Sequence, residues 1–280
     1  MRNIGIIGLG LIGGSLGLSL QKEGFIVFGL DVQTAHQSQA LKLGLINKIA
    51  NEQTLLDECN IIIVATPTTV STSIITSLLD NIQPQQVIID MGSTKSKICD
   101  ALKQHPSRKN FVAAHPIAGT ENSGPQAAIQ NLFDGKKIVI CDKEDSNENL
   151  LSQIVELFKK LKSDIVFMNS KEHDKHLAYI SHLSHICSFA LSLTVLAIEK
   201  DEQNIFNLAG SGFSSTARLA KSSPQMWESI AMQNKENLLP AIESYIEKLK
   251  TLKQNIEEGN STELISSMKK ANEIRKIIKN

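Results

Sequence analysis

Apolar runs of β-strand type alternate with segments of helical periodicity through the first half of the chain. The pattern predicts strands at residues 4–7, 25–30, 61–65, 87–90, 111–114 and 137–141, with helices at residues 11–22, 34–43, 70–79 and 96–103. A run at residues 163–168 predicts one last strand. Because strands that alternate with helices form a parallel sheet covered on both faces, this half is predicted to be a doubly wound, mostly parallel α/β domain.

The pattern changes near residue 170, beyond which no strand is predicted. Apolar residues recur there at helical spacing, and residues 186–198 are apolar on nearly all sides, so their helix should be buried. This stretch is predicted to be too short to span a bilayer. Ser223 and Pro224 predict the start of a long helix toward residue 257, which Pro240 should kink or interrupt. We therefore predict two domains, an α/β domain at residues 1–169 and an all-α domain at residues 170–280.

The turn after the first strand has the glycine spacing of a dinucleotide-binding site. Gly8, Gly10 and Gly13 stand at G-x-G-x-x-G spacing between a strand and a helix. In a Rossmann-type fold the first glycine permits a tight turn, the second lets a pyrophosphate approach, and the third lets the helix pack on the strand. The positive end of the helix then faces the diphosphate. The predicted cofactor-binding residues are Gly8, Gly10, Leu11, Ile12, Gly13, Asp31 and, after a neighbouring strand, Thr66 and Pro67.

Asp31 indicates which dinucleotide the site prefers. It ends the second strand, eighteen residues after Gly13, where a carboxylate accepts hydrogen bonds from the adenosine ribose hydroxyls. The same charge would repel the 2′-phosphate of NADP, and no arginine follows in Val32-Gln33-Thr34. NAD is therefore predicted in preference to NADP.

The composition is typical of a soluble cytoplasmic protein. The 280 residues include 29 Lys plus Arg and 29 Asp plus Glu, so the net charge is zero and predicts no nucleic-acid or membrane partner. The four cysteines are widely separated and form no C-x-x-C pair, which favours reduced thiols over disulfides. Arg2 and the apolar run after it imitate a signal peptide, but the repeated glycines and the lack of a small-residue cleavage site argue against one.

His115 begins the most informative stretch after the glycine turn. It directly follows a predicted strand, so we expect it at the mouth of the crevice beside the nicotinamide, with a pKa suited to proton transfer. With this stretch the sequence resembles the prephenate/arogenate dehydrogenases of tyrosine biosynthesis. The resemblance rests on blocks that extend over nearly the whole chain, which are residues 8–14, 65–67, 90–95, 115–124, 181–185, 212–218 and Trp227.

The resemblance implies an oxidoreductase that oxidatively decarboxylates prephenate to 4-hydroxyphenylpyruvate with NAD. Hydride leaves C4 of the ring, the hydroxyl proton is taken up, and carbon dioxide departs as the ring becomes aromatic. By resemblance His115 accepts the hydroxyl proton, and Ser93 hydrogen-bonds either His115 or the same hydroxyl. Arg218 is implied as the anchor for a substrate carboxylate, a role suited to its bidentate guanidinium.

Further implications of the resemblance concern the substrate pocket and assembly. Thr120 is implied as a pocket wall and Glu121 as a gate, with a helix N-cap as the alternative for both. Ser181, His182 and His185 are implied to line the pocket. The helical domain is implied to form a homodimer, with the active site between the two domains.

Several other interpretations of the same residues remain open. Arg218 could form only a salt bridge, and Trp227 could serve only the core. His173/His176 and His182/His185 have the i,i+3 spacing of metal ligands, but no third ligand cluster is evident and no metal is predicted.

The sequence is also compatible with three other functions. Arogenate could be an alternative or additional substrate, since it differs from prephenate only by an amino group in place of a keto group. A 3-hydroxy-acid dehydrogenase would be expected to carry a lysine on its helical domain, for which Lys171 and Lys175 are weak candidates. A dinucleotide sensor without chemistry would tolerate replacement of His115 and Arg218.

Overall fold

One eight-stranded sheet organises the first part of the computed structural model, which describes residues 3–199 and 208–277. The strands, in chain order, are β1 (Asn3–Ile7), β2 (Ile26–Leu30), β3 (Lys48–Ile49), β4 (Ile61–Val64), β5 (Val87–Asp90), β6 (Phe111–Pro116), β7 (Lys137–Cys141) and β8 (Asp164–Met168). The sheet order is β3-β2-β1-β4-β5-β6-β7-β8. Every neighbouring pair is parallel except β6 with β7. The predicted doubly wound, mostly parallel fold is confirmed.

Twelve α-helices accompany the sheet in the described part of the chain. Those of the α/β region are α1 (Leu11–Lys22), α2 (Thr34–Lys42), α3 (Glu52–Glu58), α4 (Thr68–Asn81), α5 (Ser96–Leu102) and α6 (Glu148–Lys160). The remainder are α7 (Ser170–Leu177), α8 (Leu183–Glu199), α9 (Ser211–Ala217), α10 (Pro224–Gln233), α11 (Lys235–Glu257) and α12 (Ser261–Ala271). No strand occurs after β8 in the described residues, as predicted.

Both faces of the sheet are buried, because successive side chains of a strand point to opposite faces. Ile63 of β4 and Ile89 of β5 pack in a cluster that includes residues of α1 and α6. Their neighbours Ile62 and Ile88 belong to a second cluster, which includes residues of α4 and α5. Each fully buried aliphatic side chain contributes roughly 1.5–3 kcal/mol to folding. This burial explains why the strands are apolar without alternation.

The sheet positions the candidate site at the carboxyl ends of its strands. Its order reverses beside β1, where β2 lies on one side and β4 on the other. In open α/β sheets this switch point forms the crevice that binds ligands. The ends of β1, β4, β5 and β6 and the loops after them carry four of the sequence blocks, residues 8–14, 65–67, 90–95 and 115–124.

The apolar helix of the second half is longer than the sequence predicted. α7 continues through a π-helical turn, Ala178–His182, into α8. By length and composition the helical run Ser170–Ile198 could cross a membrane, and only 11% of its most apolar window is buried. The expectation that residues 186–198 are too short to span a bilayer concerned the apolar stretch alone and stays a prediction, whereas the expected burial of their helix does not occur in the single chain.

The long helix predicted from Ser223 is interrupted at Asn234 rather than at Pro240. Ser223 caps α10 by accepting a hydrogen bond from the amide of Met226, and Pro224 occupies the first turn. Pro240 lies inside α11, which is continuous through it. The chain divides into two compact units, Met1–Asn234 and Lys235–Asn280. The domain boundary at residues 169/170 stays a prediction.

Candidate active site

The glycine turn after β1 has the backbone that a dinucleotide requires. Gly8 has a φ of +91°, and a Cβ there would lie 2.5 Å from the carbonyl oxygen of Ala65. A Cβ on Gly13 would lie 1.8 Å from the carbonyl oxygen of Gly8. At Gly10, by contrast, an added Cβ would meet no atom within 4 Å. Packing therefore requires glycine at the first and third positions, while the space beside Gly10 is left for a ligand.

The first turn of α1 presents unpaired backbone amides beside that space. Gly10 is the N-cap and supplies no side-chain hydrogen bond, and no acidic residue lies in the first turn. The amides of Leu11, Ile12 and Gly13 have no intrahelical partner at this position of a helix. The turn can therefore bind the anionic diphosphate of a dinucleotide.

Asp31 lies at the end of β2 with both carboxylate oxygens engaged by backbone. Oδ2 accepts a hydrogen bond of 2.9 Å from the amide of Leu9, and Oδ1 accepts one of 2.9 Å from the amide of Gln33. The nearest cationic candidate is His36, whose Nδ1 lies 3.5 Å from Oδ1. The carboxylate thus ties the glycine turn to the position where an adenosine ribose would lie, and each oxygen keeps a further lone pair.

The glycine turn, the first turn of α1 and Asp31 together form what we call the cradle. Thr66 and Pro67 adjoin this cradle at the end of β4. The methyl group of Thr66 would lie 3.1 Å from a Cβ on Gly8. Pro67 is the N-cap of α4, and its carbonyl oxygen accepts a hydrogen bond from Ser71. Both residues therefore border the same crevice as the glycine turn.

His115 lies near the end of β6, where it is buried and paired with another histidine. Its Nδ1 is 2.9 Å from Nε2 of His173, and Nδ1 of His173 is 2.8 Å from Oδ1 of Asp174. The two rings meet edge to face, with centroids 5.1 Å apart. A buried row of three hydrogen-bonded groups thus connects the end of β6 with α7.

The electrostatics of this row keep its histidines neutral. Burial lowers the pKa of His115 well below its ordinary value of 6.5, and the positive charge of the buried Lys95 lowers it further. Burial likewise lowers the pKa of His173, although Asp174 opposes this effect. At neutral pH both imidazoles are therefore uncharged.

Asp174 stays ionised because it is hydrogen-bonded on every side. Burial raises its pKa, but the hydrogen bonds from His173 and from the amides of Ser96 and Lys95 outweigh this effect and bring the pKa below 3.8. Those two amides donate at 2.8 Å each. Asp174 therefore also caps α5 from a different helix.

Lys95 forms a buried ion pair close to His115. Its side chain is fully buried, and its Nζ donates to Oδ2 of Asp90 and to the carbonyl oxygen of Ala114. Among the described residues no hydrogen bond joins Ser93 to His115, whose Nδ1 bonds to His173. The alternative, in which Ser93 contacts the substrate hydroxyl, stays a prediction.

Arg218 pairs with Glu121 at the surface of the first compact unit. Nη1 of Arg218 donates to Oε2 of Glu121 at 2.9 Å, and 51% of the arginine side chain is exposed. A hydrogen bond within Glu121 itself and the one from Arg218 lower the pKa of Glu121. Thr120 accepts a hydrogen bond from the amide of Asn122. Neither Thr120 nor Glu121 caps a helix in the described structure.

His182 and His185 surround Trp227 after the π-helical turn. The rings of His185 and Trp227 stack with centroids 3.5 Å apart, and His182 meets the indole edge to face at 5.9 Å. Burial lowers the pKa of His182 to about 4 and also lowers that of His185. Nδ1 of His185 donates to the carbonyl oxygen of Ser181. Trp227 is buried, yet its Nε1 has no hydrogen-bond partner.

These predicted residues form one connected set rather than scattered ones. Asn234 donates to Nδ1 of His182 and to the carbonyl oxygen of Asp174, and the charge of Arg218 lowers the pKa of His185. His182 and His185 both contact Trp227. The imidazole at the end of the sheet and the guanidinium after α9 are thus linked through the histidines of the helical segment.

Comparison with known proteins identifies one family across both halves of the chain. Residues 16–167 match the sequence model for the prephenate dehydrogenase nucleotide-binding domain, and residues 169–270 match that for the prephenate dehydrogenase dimerization domain. The prephenate dehydrogenase of Bacillus subtilis (strain 168) is 31% identical over 275 residues, which cover 96% of this chain and 74% of that protein.

This chain belongs to the prephenate dehydrogenase family.

Solved structures of the prephenate dehydrogenase family share the fold described above. The crystal structure of prephenate dehydrogenase from Aquifex aeolicus, in complex with hydroxyphenyl propionate and NAD+, has a TM-score of 0.90 and 30% identity, and the match covers 100% of this chain and 99% of that one. The crystal structure of Synechocystis arogenate dehydrogenase has a TM-score of 0.77 and 28% identity, with 98% and 99% covered. The resemblance stated from the sequence blocks is confirmed.

As a member of the prephenate dehydrogenase family, the chain is an NAD-dependent oxidoreductase. The cradle fits that cofactor, because the space beside Gly10, the free amides of α1 and the carboxylate of Asp31 match a diphosphate and a ribose without a 2′-phosphate. Gly10, Leu11, Ile12 and Gly13 would hold the diphosphate, and Asp31 would hold the ribose.

Sequence reasoning missed residues whose importance depends on tertiary contacts. It considered His173 only as a possible metal ligand beside His176, and it gave no role to Asp174 or Lys95. The sequence likewise gave no indication that the indole N–H of Trp227 is buried without a hydrogen-bond partner. No sequence spacing could have joined His115 to His173, since 58 residues separate them.

Proposed function

We propose that this chain converts prephenate to 4-hydroxyphenylpyruvate in tyrosine biosynthesis, with arogenate as an alternative substrate. The observation that carries the proposal is His115, a buried and neutral imidazole near the end of β6. A neutral imidazole can accept a proton where an imidazolium cannot. An alcohol oxidation needs a proton acceptor and a hydride acceptor. His115 would provide the first, and NAD bound in the cradle would provide the second.

The proposed division of labour follows the chemistry of each group. NAD, when bound, accepts the hydride that leaves C4. His115 accepts the proton of the 4-hydroxyl, and Ser93, which is partly exposed beside the crevice, donates or accepts a hydrogen bond at the same hydroxyl. Aromatisation drives loss of carbon dioxide, so the protein needs only to orient the ring and neutralise its carboxylates.

Arg218 is proposed to bind a substrate carboxylate in exchange for Glu121. In the structure its guanidinium already binds a carboxylate at 2.9 Å, and half of its side chain remains exposed. An exposed ion pair of this kind contributes little stability because solvent screens it, so a substrate carboxylate can replace Glu121 at small cost. Glu121 would then act as a gate, with Thr120 beside it as a pocket wall.

Three polar groups of the helical segment are proposed to complete the pocket. Nδ1 of His182 accepts a hydrogen bond from Asn234, so its neutral ring carries hydrogen on Nε2 and can donate. His185, held by Ser181, has the opposite tautomer and can accept. The unpaired indole N–H of Trp227 supplies one more donor.

The assembly and location are proposed in the same way. A homodimer formed through the helical part is supported by the match of residues 169–270 to the dimerization domain. Two functional domains, at residues 1–169 and 170–280, are supported by the two family matches, which meet near residue 168. A cytoplasmic location is supported by Cys59, Cys99 and Cys141, which are buried thiols outside any disulfide.

The decisive experiment is a spectrophotometric assay of NADH and NADPH formation with prephenate and arogenate, each crossed with NAD and NADP. We expect turnover with prephenate and NAD, and a fall of about 10²- to 10⁴-fold in kcat for His115→Asn, the usual contribution of a general base. His176→Asn, an exposed histidine on α7, is the matched control. Unchanged turnover in His115→Asn would refute the catalytic assignment and favour the sensor.

The role of Arg218 is tested separately. Arg218→Ala should raise KM for prephenate at least about tenfold, the effect of losing one charged hydrogen bond, while Kd for NAD stays the same. Lys221→Ala removes an exposed cation from the same segment and should leave KM unchanged. An unaltered KM in Arg218→Ala would remove it from the anchor role.

A further inference from the structure

We propose that His173 is a positioning residue which, with Asp174 behind it, holds His115 in the tautomer that leaves Nε2 free to accept a proton. The inference rests on the proposed function of His115 as proton acceptor. It starts from the buried row of His115 on β6 and His173 and Asp174 on α7. Each group lies within hydrogen-bond distance of the next one. Asp174 determines which ring nitrogen of His173 carries hydrogen, and His173 determines the same for His115.

The direction of the row is set by Asp174. Its carboxylate is ionised and can only accept hydrogen bonds. It accepts from the backbone amides of Lys95 and Ser96, and its Oδ1 lies 2.8 Å from Nδ1 of His173. The hydrogen of that contact must therefore be on Nδ1 of His173.

His173 in turn fixes the hydrogen of His115. A neutral imidazole with hydrogen on Nδ1 has a bare Nε2, which is an acceptor. Nε2 of His173 lies 2.9 Å from Nδ1 of His115, so the hydrogen between them belongs to His115. Nδ1 of His115 is thus the donor, and Nε2 of the same neutral ring carries no hydrogen.

A doubly protonated His173 would reverse this result, but its surroundings oppose it. An imidazolium at His173 would donate to Nδ1 of His115 and force the hydrogen of that ring onto Nε2. Burial and the charge of the fully buried Lys95 both lower the pKa of His173. The carboxylates of Asp174 and Asp90 raise the pKa of His173. The lowering effects are larger, so His173 is neutral.

The free nitrogen is also the accessible one. Nε2 of His115 has no hydrogen bond with any described residue, and it is not among the fully buried unpaired atoms. When it takes up the proton, Nδ1–H still donates to His173, which still donates to Asp174. The row therefore orients the ring before the reaction and stabilises the imidazolium after it, while His173 acts only through His115.

Two variants of His173 separate this role from general packing. His173→Asn keeps a group beside Asp174 but is too short to accept from His115, whereas the side-chain oxygen of His173→Gln can occupy the position of Nε2. We expect kcat with prephenate and NAD to fall about 100-fold in His173→Asn, with KM for both substrates changed less than about threefold. His173→Gln should recover most of the loss, and His176→Asn should behave as the parent.

The pH profile gives a second readout. His115 is faced by His173 and Asp174 from α7, by Lys95 and its partner Asp90, and by His182. In His173→Asn the imidazolium of His115 loses the acceptor of its Nδ1–H, so the pKa of His115 should fall further. The acid limb of kcat/KM should therefore move to lower pH. A loss of activity without this movement would indicate a packing role and overturn the proposal.

The tautomer itself can be observed by ¹⁵N NMR of histidine-labelled protein at neutral pH. We expect the His115 ring, assigned by comparison with His115→Asn, to show a protonated Nδ1 and a bare Nε2, and His173→Asn to show a mixture of tautomers. A protonated Nε2 in the unsubstituted protein would refute the inference without any variant. This measurement needs no substrate, so absence of prephenate turnover would refute the proposed function and leave the tautomer result to be judged independently.

Discussion

Asp31 has a structural role and a cofactor role that involve the same two oxygens. Oδ2 binds the amide of Leu9 in the glycine turn, and Oδ1 binds the amide of Gln33. An ionised carboxylate can accept both amides and still accept from two ribose hydroxyls. At the end of β2 its charge would repel a 2′-phosphate, so cofactor choice and turn geometry are coupled at this one residue.

Asp31→Asn should therefore change both the affinity and the selectivity of the cradle. The amide has one acceptor oxygen, so one backbone or ribose hydrogen bond is lost, and kcat/KM with NAD should fall about tenfold. The ratio of kcat/KM with NADP to that with NAD should rise because the repelling charge is gone. Asp57→Asn, an exposed carboxamide substitution on α3, should leave both values unchanged. A parent enzyme that uses NADP as well as NAD would contradict the role of Asp31.

The buried histidines should make folding stability depend on pH in a defined direction. The pKa of His182 is lowered by burial to about 4 in the folded state, against about 6.5 in the unfolded chain. Protonation therefore favours the unfolded chain, so its contribution to stability is complete above pH 6.5 and is lost between about pH 6.5 and pH 4. The loss from His182 alone is about 3 kcal/mol.

Urea unfolding at several pH values between 7.5 and 4 measures this slope. His182→Gln should show a shallower decrease in the free energy of unfolding below pH 6.5 than the unsubstituted protein. His176→Asn, which replaces an exposed histidine, should retain the full slope. Equal slopes in all three proteins would mean that His182 is not buried in its neutral form.

Single residues could be assigned candidate roles only where the residue types themselves suggested the chemistry. The glycines, His115 and Arg218 could be named because each belongs to a recognisable sequence block, and Asp31 because of its distance from Gly13; their roles stay predictions. His173 could not, because i,i+3 spacing pointed to His176 while its actual partner is on β6. Tertiary contacts of this kind leave no periodic signal in one sequence.

At the level of elements, prediction succeeded where a long apolar or amphipathic pattern was bounded by turn residues. The bounds of α1, β5 and β7 match the prediction. β3 was missed because it has two exposed residues. α6 was missed although Leu150, Ile154, Leu157 and Phe158 have helical spacing and are buried. Pro240 misled because α11 is continuous through it, although it is the sixth residue of that helix.

A substitution at Gly10, between β1 and α1, should affect cofactor binding without affecting folding stability. Gly10→Ala adds a methyl group that meets no protein atom within 4 Å, so unfolding free energy should change by less than about 1 kcal/mol. The same methyl group would occupy the space for the diphosphate, so Kd for NAD should rise at least about tenfold, as measured by isothermal titration calorimetry.

Gly210→Ala is the matched control for that experiment. Gly210 is the N-cap of α9, with φ −81° and ψ −174° against −73° and −157° at Gly10, and an added Cβ is equally unobstructed. It should leave Kd for NAD unchanged. If Gly10→Ala bound NAD as tightly as Gly210→Ala does, the diphosphate would not lie where the cradle predicts.

At the scale of the whole molecule, the apolar surface of the helical part requires an explanation beyond one chain. Leu193 and Leu196 of α8 are 67% and 50% exposed, and Ile180 in the π-helical turn is 73% exposed. Soluble proteins seldom leave a contiguous apolar stripe uncovered. A second copy of the chain and a lipid bilayer are the two environments that would cover it. Because this stripe lies within the part matched to the dimerization domain, we infer the second copy.

Sedimentation equilibrium distinguishes these environments. The unsubstituted protein should sediment at twice its chain mass of 30.7 kDa, and the double variant Leu193→Glu with Leu196→Glu should sediment as a monomer, because two buried carboxylates in each protomer would be left without partners. Leu43→Glu, a substitution at a comparably exposed leucine after α2, should remain dimeric. A monomer that co-floats with phosphatidylcholine vesicles would instead assign the stripe to a membrane, and a dimer unaffected by the double variant would locate the interface elsewhere.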